Sequence, residues 1–293
     1  MTQFLQQVVI GLSSGGIYAS LALAIVLVYR ATRVINFAQG EMAMFSTFVA
    51  SSLLDRGWPY WAAFLTTVTA AFAGGVVVER TLIRPVEQAP PLSGAMVTIG
   101  LLIALNGAAF WIWSGESRAF PSAFSSRTVD VGGVVFSVQD AGTIGVTLAA
   151  VAVLAAFLRF TKLGLGLRAA SVNPEASRLV GVPVGWMLAL GWGLAAALGA
   201  VSGMLVAPSL FLDPNMMRPV LLYALAAAVL GGLDSPAGAV VGGLALGVTL
   251  NLLATYVDFV GNTLQLPVAL GIILVVLLVR PAGLLGREAV RRA

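Results

Sequence analysis

The sequence predicts an all-α fold, a polytopic transmembrane helix bundle of about nine spans, with eight to ten as the range. Three observations predict it. Of 293 residues, 59% are hydrophobic and only 10% charged, with a mean hydropathy of +0.98, an apolar surplus that no single water-soluble core can bury. The apolar residues fall in runs of about 20, bounded by charges or by Pro and Gly. Glycine accounts for 33 residues, and small residues let membrane helices pack closely.

The first run, Val8 to Tyr29, precedes the first basic residue, Arg30, so it lacks the positive leader of a cleaved signal peptide and is expected to remain as a span. Phe37 to Leu54 is weaker, because it contains Glu41. Trp58 to Val78 and Gly94 to Ser114 follow, then an outer loop, 115–140. In that loop, alternation on both sides of Gly132-Gly133 in TVDVGGVVFSV predicts a two-stranded hairpin, with Asp130 and Asp140 as turn and solvation residues. Ala141 to Leu158 is the fifth run, and a polar stretch, 159–184, interrupts the pattern after it. Val184 to Leu212, the short Pro219 to Leu233, Ala237 to Val257 and Phe259 to Val279 complete the set. Broken or re-entrant helices around Phe37 to Leu54 and Pro219 to Pro236 would change the count. No internal repeat is evident, and 1–293 is expected to form one membrane domain.

Basic residues set the sides. Arg30, Arg33, Arg80, Arg84, Arg159, Lys162, Arg168, Arg178, Arg280, Arg287, Arg291 and Arg292 fall in one set of loops, and Arg56, Arg118, Arg127 and Arg218 in the other. The positive-inside rule makes the first set cytoplasmic, with the N-terminus outside and the C-terminus inside. The stretch 159–184 is then cytoplasmic. Cysteine and histidine are absent, which excludes disulfides, histidine-based metal or haem ligation and imidazole chemistry. A net charge of +4 spread over short loops reads as topology, with no nucleic-acid partner expected.

Within the polar stretch, Asn173 is a helix N-cap, Pro174 suits the first helical position, Glu175 suits the dipole and Gly181 ends the helix. Ala176, Leu179 and Val180 share a face, apart from Ser177 and Arg178. So short a helix is marginal alone. It lies on lipid headgroups or it docks on a protein, and composition does not choose.

The run LRAASVNPEASRLVGVPV resembles the coupling loop of ABC importer permeases, in which a short cytoplasmic helix docks on an ATPase subunit. GGIYASLALAIVLVYRATRVINFAQGEMAMF is similar to the opening segment of branched-chain amino-acid ABC importer permeases of the H type, and MVTIGLLIAL, GGLDSPAGAVVGGLALGV and RPAGLLG extend the likeness over nearly the whole chain. One departure is Gln39, where relatives commonly carry His. The resemblance implies a bacterial inner-membrane permease working with a homologous second permease, two ATP-binding subunits and an external solute-binding protein. It places coupling on Arg168, Asn173, Pro174, Glu175, Ala176, Arg178, Leu179 and Gly181. The sole lysine, Lys162, sits in Thr-Lys-Leu, so no phosphate-binding Gly-Lys-Ser/Thr loop exists; ATP and Mg²⁺ are expected in the partners and no cofactor in this chain.

Polar residues inside apolar helices mark the candidate path: Asn36, Gln39, Glu41, Asn106 and Asn251, with weaker candidates Ser13, Ser14, Tyr18 and Thr98. Glu41 reads as a gate, as a partner for Arg33, or as a carboxylate solvated at the headgroups. Asn106 and Asn251 suit interhelical hydrogen bonds as well as a pore lining. No catalytic or metal cluster is expected. Nor do paired ionisable residues fall deep in the spans, which disfavours a proton relay and suits a solute of no net charge such as a zwitterionic amino acid. Its exact identity is open among branched-chain amino acids, amides, urea and small carboxylates. The competing reading is an ion-gradient-driven secondary transporter or channel for a small polar solute; a polytopic enzyme lacks the clustered acid and base residues it would need.

Overall fold

The computed structural model describes residues 2–286 apart from Gln88, Asn262 and Pro281. The terminal Arg287, Arg291 and Arg292 therefore lie outside the described residues, as does Pro281 of the RPAGLLG run. In chain order the elements are α1 (Thr2–Thr32), α2 (Gln39–Asp55), α3 (Tyr60–Val78), α4 (Pro91–Trp113), β1 (Thr128–Val131), β2 (Val134–Ser137), α5 (Val138–Phe160), α6 (Lys162–Val172), α7 (Pro174–Leu179), α8 (Val184–Leu210), α9 (Met217–Gly231), α10 (Pro236–Tyr256) and α11 (Gln265–Val279). A π-helical turn, Glu79–Ile83, and a short 3-10 turn, Arg84–Val86, extend α3.

Every predicted apolar run carries a helix, yet the helices are of two kinds. Six of them (α1, α3 with its extension, α4, α5, α8 and α10) are long and apolar enough to cross a bilayer. The other three, α2, α9 and α11, have 17, 15 and 15 residues, about 22–26 Å at 1.5 Å per residue against a hydrocarbon core of about 30 Å. Hydropathy windows merge such a half-length helix with the apolar chain leading into it.

The lead-in to α2 shows why that helix is short. Gln39 is fully buried and its amide donates to Ala195 O at 2.9 Å. Ala195 lies 11 residues along α8, about 17 Å from its start. α2 thus begins inside the bundle, beside the middle of α8. The chain before α9 does the same: Pro214 O meets Asn106 Nδ2 at 2.8 Å, and Asn106 lies 15 residues along α4.

These two half-helices expose an internal repeat that the sequence reading did not detect. α1 to α4 and α8 to α11 correspond as long helix, inward-starting short helix, and two further helices. Their packing corresponds as well: α1 lies chiefly on α10 as α8 lies on α3, α2 crosses α8 as α9 crosses α1, and α2 touches α4 as α9 touches α11. The two sets run in opposite directions through the bundle, an inverted arrangement. Sequence comparison misses it because the constraint is on size and polarity at contact points, which many residues satisfy.

Small residues make those contacts. A Cβ on Gly11 would stand 2.7 Å from Val248 Cα, and one on Gly75 would stand 2.6 Å from Trp192 O. Where α1 and α8 cross, Ser20 Oγ and Ser202 Oγ share a 2.6 Å hydrogen bond, both fully buried. The hairpin forms as predicted, β1 pairing antiparallel with β2 across Gly132 and Gly133, both at positive φ. Asp130 Oδ1 accepts from Gly133 N at 2.7 Å, and Asp140 forms a capping box with Ser137.

Overpacking of close helix contacts costs about 1–3 kcal/mol. Gly11→Leu is therefore expected to lower the thermal unfolding midpoint of the purified chain in detergent, whereas Gly100→Ala, where a Cβ meets nothing within 4 Å, is expected to leave it unchanged. Circular dichroism melts compare the two.

Candidate functional site

Two places gather the predicted residues. The first is the junction where α2 and α9 begin. Asn36, on the chain before α2, receives Ala38 N–H on Oδ1 at 3.0 Å and donates from Nδ2 to Gln39 Oε1 at 3.1 Å. With Gln39 bonded to α8, these two amides satisfy backbone that has no helix to satisfy it. Both are fully buried. They hold the break in place.

Glu41 is positioned differently from either sequence-based expectation about its surroundings. Its partner is not Arg33, which pairs with Asp234 at 2.7 Å, and it is not solvated, since its side chain is 4% exposed. Glu41 Oε1 stands 3.8 Å from Arg218 Nε, and Oε2 receives Asn106 Nδ2 at 3.4 Å. Arg218 itself is 57% exposed. The expectation that no ionisable pair lies deep in the bundle is thereby overturned. Sequence reading missed Arg218 because it sits at the start of a half-helix that hydropathy assigns to an outer loop; the Pro214-Asn215 turn before it was the available signal.

Asn106 bridges the junction, bonding both Glu41 and Pro214 O. Asn251 does not join it. Its Nδ2 donates to Gln7 O at 2.6 Å and Gln7 Oε1 at 2.8 Å, tying α10 to α1. Thr98 bonds Ala95 O and Ile35 O. Ser13, Ser14 and Tyr18 share a cavity of about 400 Å³ with Thr143 and Tyr223, the two tyrosine rings 5.0 Å apart.

The second place is the end of the bundle where Arg33, Arg84 and the α7–α8 turn gather. The stretch read as a polar loop with one helix folds as two, α6 and α7, so Arg168 lies on a helix. Asn173 caps α7 as predicted, accepting from Ala176 N at 2.9 Å, with Pro174 first, Glu175 in the first turn and Gly181 at φ 82° beyond its end. Ser177 is the buried anchor, its hydroxyl donating to Asn173 O. Arg178 stands 3.8 Å from Glu87 at the end of the α3 extension. Ala176 is exposed, and Leu179 and Val180 are 88% and 78% exposed. The apolar tip of α7 therefore faces out of the bundle. Behind it, Arg80 stacks over Trp186 at 3.9 Å, and Glu79 is buried beside Arg80 at 3.7 Å.

Among the described residues, no cluster of three or more His, Cys, Asp or Glu side chains could hold a metal.

Residues 7–279 match the family described as "Branched-chain amino acid transport system / permease component". Similar curated proteins include the high-affinity branched-chain amino acid transport system permease protein LivH of Escherichia coli K12, 31% identical over 303 residues, covering 99% of this chain and 97% of the relative. The corresponding permease protein BraD of Pseudomonas aeruginosa is 32% identical, covering 99% and 98%. Among solved structures, PsaBC from Streptococcus pneumoniae in complex with Fab aligns with a TM-score of 0.49 at 14% identity, over 95% of this chain and 92% of that one.

The junction amides differ from Asn251 in what their loss strands. Asn36→Ala leaves two buried polar groups unpaired, each expected to cost about 1–3 kcal/mol, whereas Asn251→Leu removes two interhelical hydrogen bonds to the half-buried Gln7, each worth about 0.6 kcal/mol. Denaturant titration in mixed micelles measures both; equal losses contradict the assignment.

Proposed function

This chain belongs to the family of branched-chain amino acid transport system permease components, and from that membership we propose that it is a membrane subunit of an ATP-driven importer for branched-chain or related small, net-neutral amino acids. It is one multi-pass membrane domain of a bacterial inner membrane, with its N-terminus outside and the α7 end in the cytoplasm. ATP and Mg²⁺ belong to two partner subunits, a second homologous permease completes the path, and an external binding protein supplies the solute.

The observation that carries the coupling role is α7 itself. Its polar face is anchored by Ser177 and braced by Arg178 and Glu87, while Leu179 and Val180 stand free. A groove on the ATPase that closes around this tip moves α7, and α7 is continuous through α6 with α5 and packs on the start of α8. Because most of α8 is buried, packed against α1, α2 and α3, a shift at its end is carried as a rigid-body displacement of the bundle.

Burying a leucine side chain is worth about 1.5–3 kcal/mol. Leu179→Asp, and likewise charge reversal at Arg178, is expected to lower solute uptake at least about tenfold in the reconstituted complex, with ATP turnover persisting and the membrane fold intact by size-exclusion profile. Normal uptake in both variants removes α7 from the mechanism.

A further inference from the structure

We propose that the junction of Glu41, Asn106 and Arg218 is a transient binding site for the charged head of a free amino acid, the solute carboxylate on Arg218 and its ammonium group on Glu41. The choice of an amino acid rests on the importer reading above; the site itself rests on geometry.

Glu41 and Arg218 occupy corresponding places in the inverted repeat, the first turns of α2 and α9. The two half-helices therefore bring an acid and a base together at the one depth where both begin. Neither start carries a side-chain cap, although the turns before them pair most nearby N–H groups, Asp213 Oδ1 accepting from Asn215 N at 2.7 Å and Asn36 Oδ1 from Ala38 N; both still aim the positive end of a helix dipole at the junction. At α2 that positive end is met by its own Glu41. At α9 Asp213 is engaged by the backbone of the turn, and Arg218 is the cation that points a guanidinium at the junction, which makes it the group for an anion to meet.

The existing pair is loose. A separation of 3.8 Å is longer than a hydrogen bond, and Arg218 is 57% exposed while Glu41 is 4% exposed. A partly desolvated pair held this way exchanges partners at small net cost: a zwitterion replaces one ion pair by two and leaves no charge buried alone. A bare carboxylate or a bare amine satisfies one side and strands the other. Asn106 holds Glu41 Oε2 and Pro214 O together, fixing the acid while Arg218 stays free to move. Next to them on the same helices, Met42 just after Glu41 and Leu105 just before Asn106 line an apolar cavity of about 330 Å³ with Phe45 and Val49, room for an aliphatic side chain.

The chain has no cysteine, so Asn215→Cys places its sole thiol on the exposed turn whose carbonyl accepts from Arg218 N. In the intact transporter complex, millimolar leucine is expected to slow labelling of that thiol by a water-soluble maleimide, while 4-methylpentanoate and 3-methylbutylamine, which lack one charge each, do not. Adding Glu41→Gln or Arg218→Gln is expected to weaken leucine protection about tenfold, the scale of one charged hydrogen bond, and Arg218→Lys to retain it. If leucine gives no protection, or protects no better than the single-charge analogues, the site is overturned even in a complex that imports leucine. Protection by leucine alone in a complex that hydrolyses ATP without importing leucine supports the site and overturns the importer reading. The ligand comparison needs no charge variant, so a variant that fails to fold leaves the test decisive.

Discussion

The constraint on which this structure depends is that backbone polar groups inside an apolar bundle must be paired. A continuous helix meets it by itself. This chain breaks the rule twice, before α2 and before α9, and each break is held by specific amides: Asn36 and Gln39 at the first, Asn106 at the second. The breaks are what allow two helices to begin inside the bundle. Without them, Glu41 and Arg218 would lie at opposite surfaces.

Close helix packing makes the breaks tolerable. Glycines let α1 approach α10 and α3 approach α8, and the Ser20–Ser202 bond joins the two repeats where their long helices cross. Such contacts have little freedom to deform gradually, so displacement at one end of α8 is transmitted along it. The same rigidity positions the acid and the base 3.8 Å apart while leaving Arg218 movable at the surface of the junction.

The basic end of the bundle and its middle differ in how they treat exposed and polar groups. At the basic end, a short helix presents leucine and valine outward. In the middle, the polar groups are few, and Asn36, Gln39, Glu41 and Asn106 find partners within the bundle.

Much of this was legible in the sequence. Lipid as solvent, the helical class, the Gly-Gly hairpin and the Asn173-Pro174 cap follow from composition and local chemistry, because each depends on residues close together in the chain. The family resemblance was legible too, since it rests on the order of residues along nearly the whole length. What tertiary structure alone decided was which residues separated by long stretches of chain meet: Arg33 with Asp234, Asn251 with Gln7, and Glu41 with Arg218. Hydropathy averages over a window about as long as a span, so it erases the point at which a half-helix starts, and that point decides whether a charge stands at a surface or in the interior.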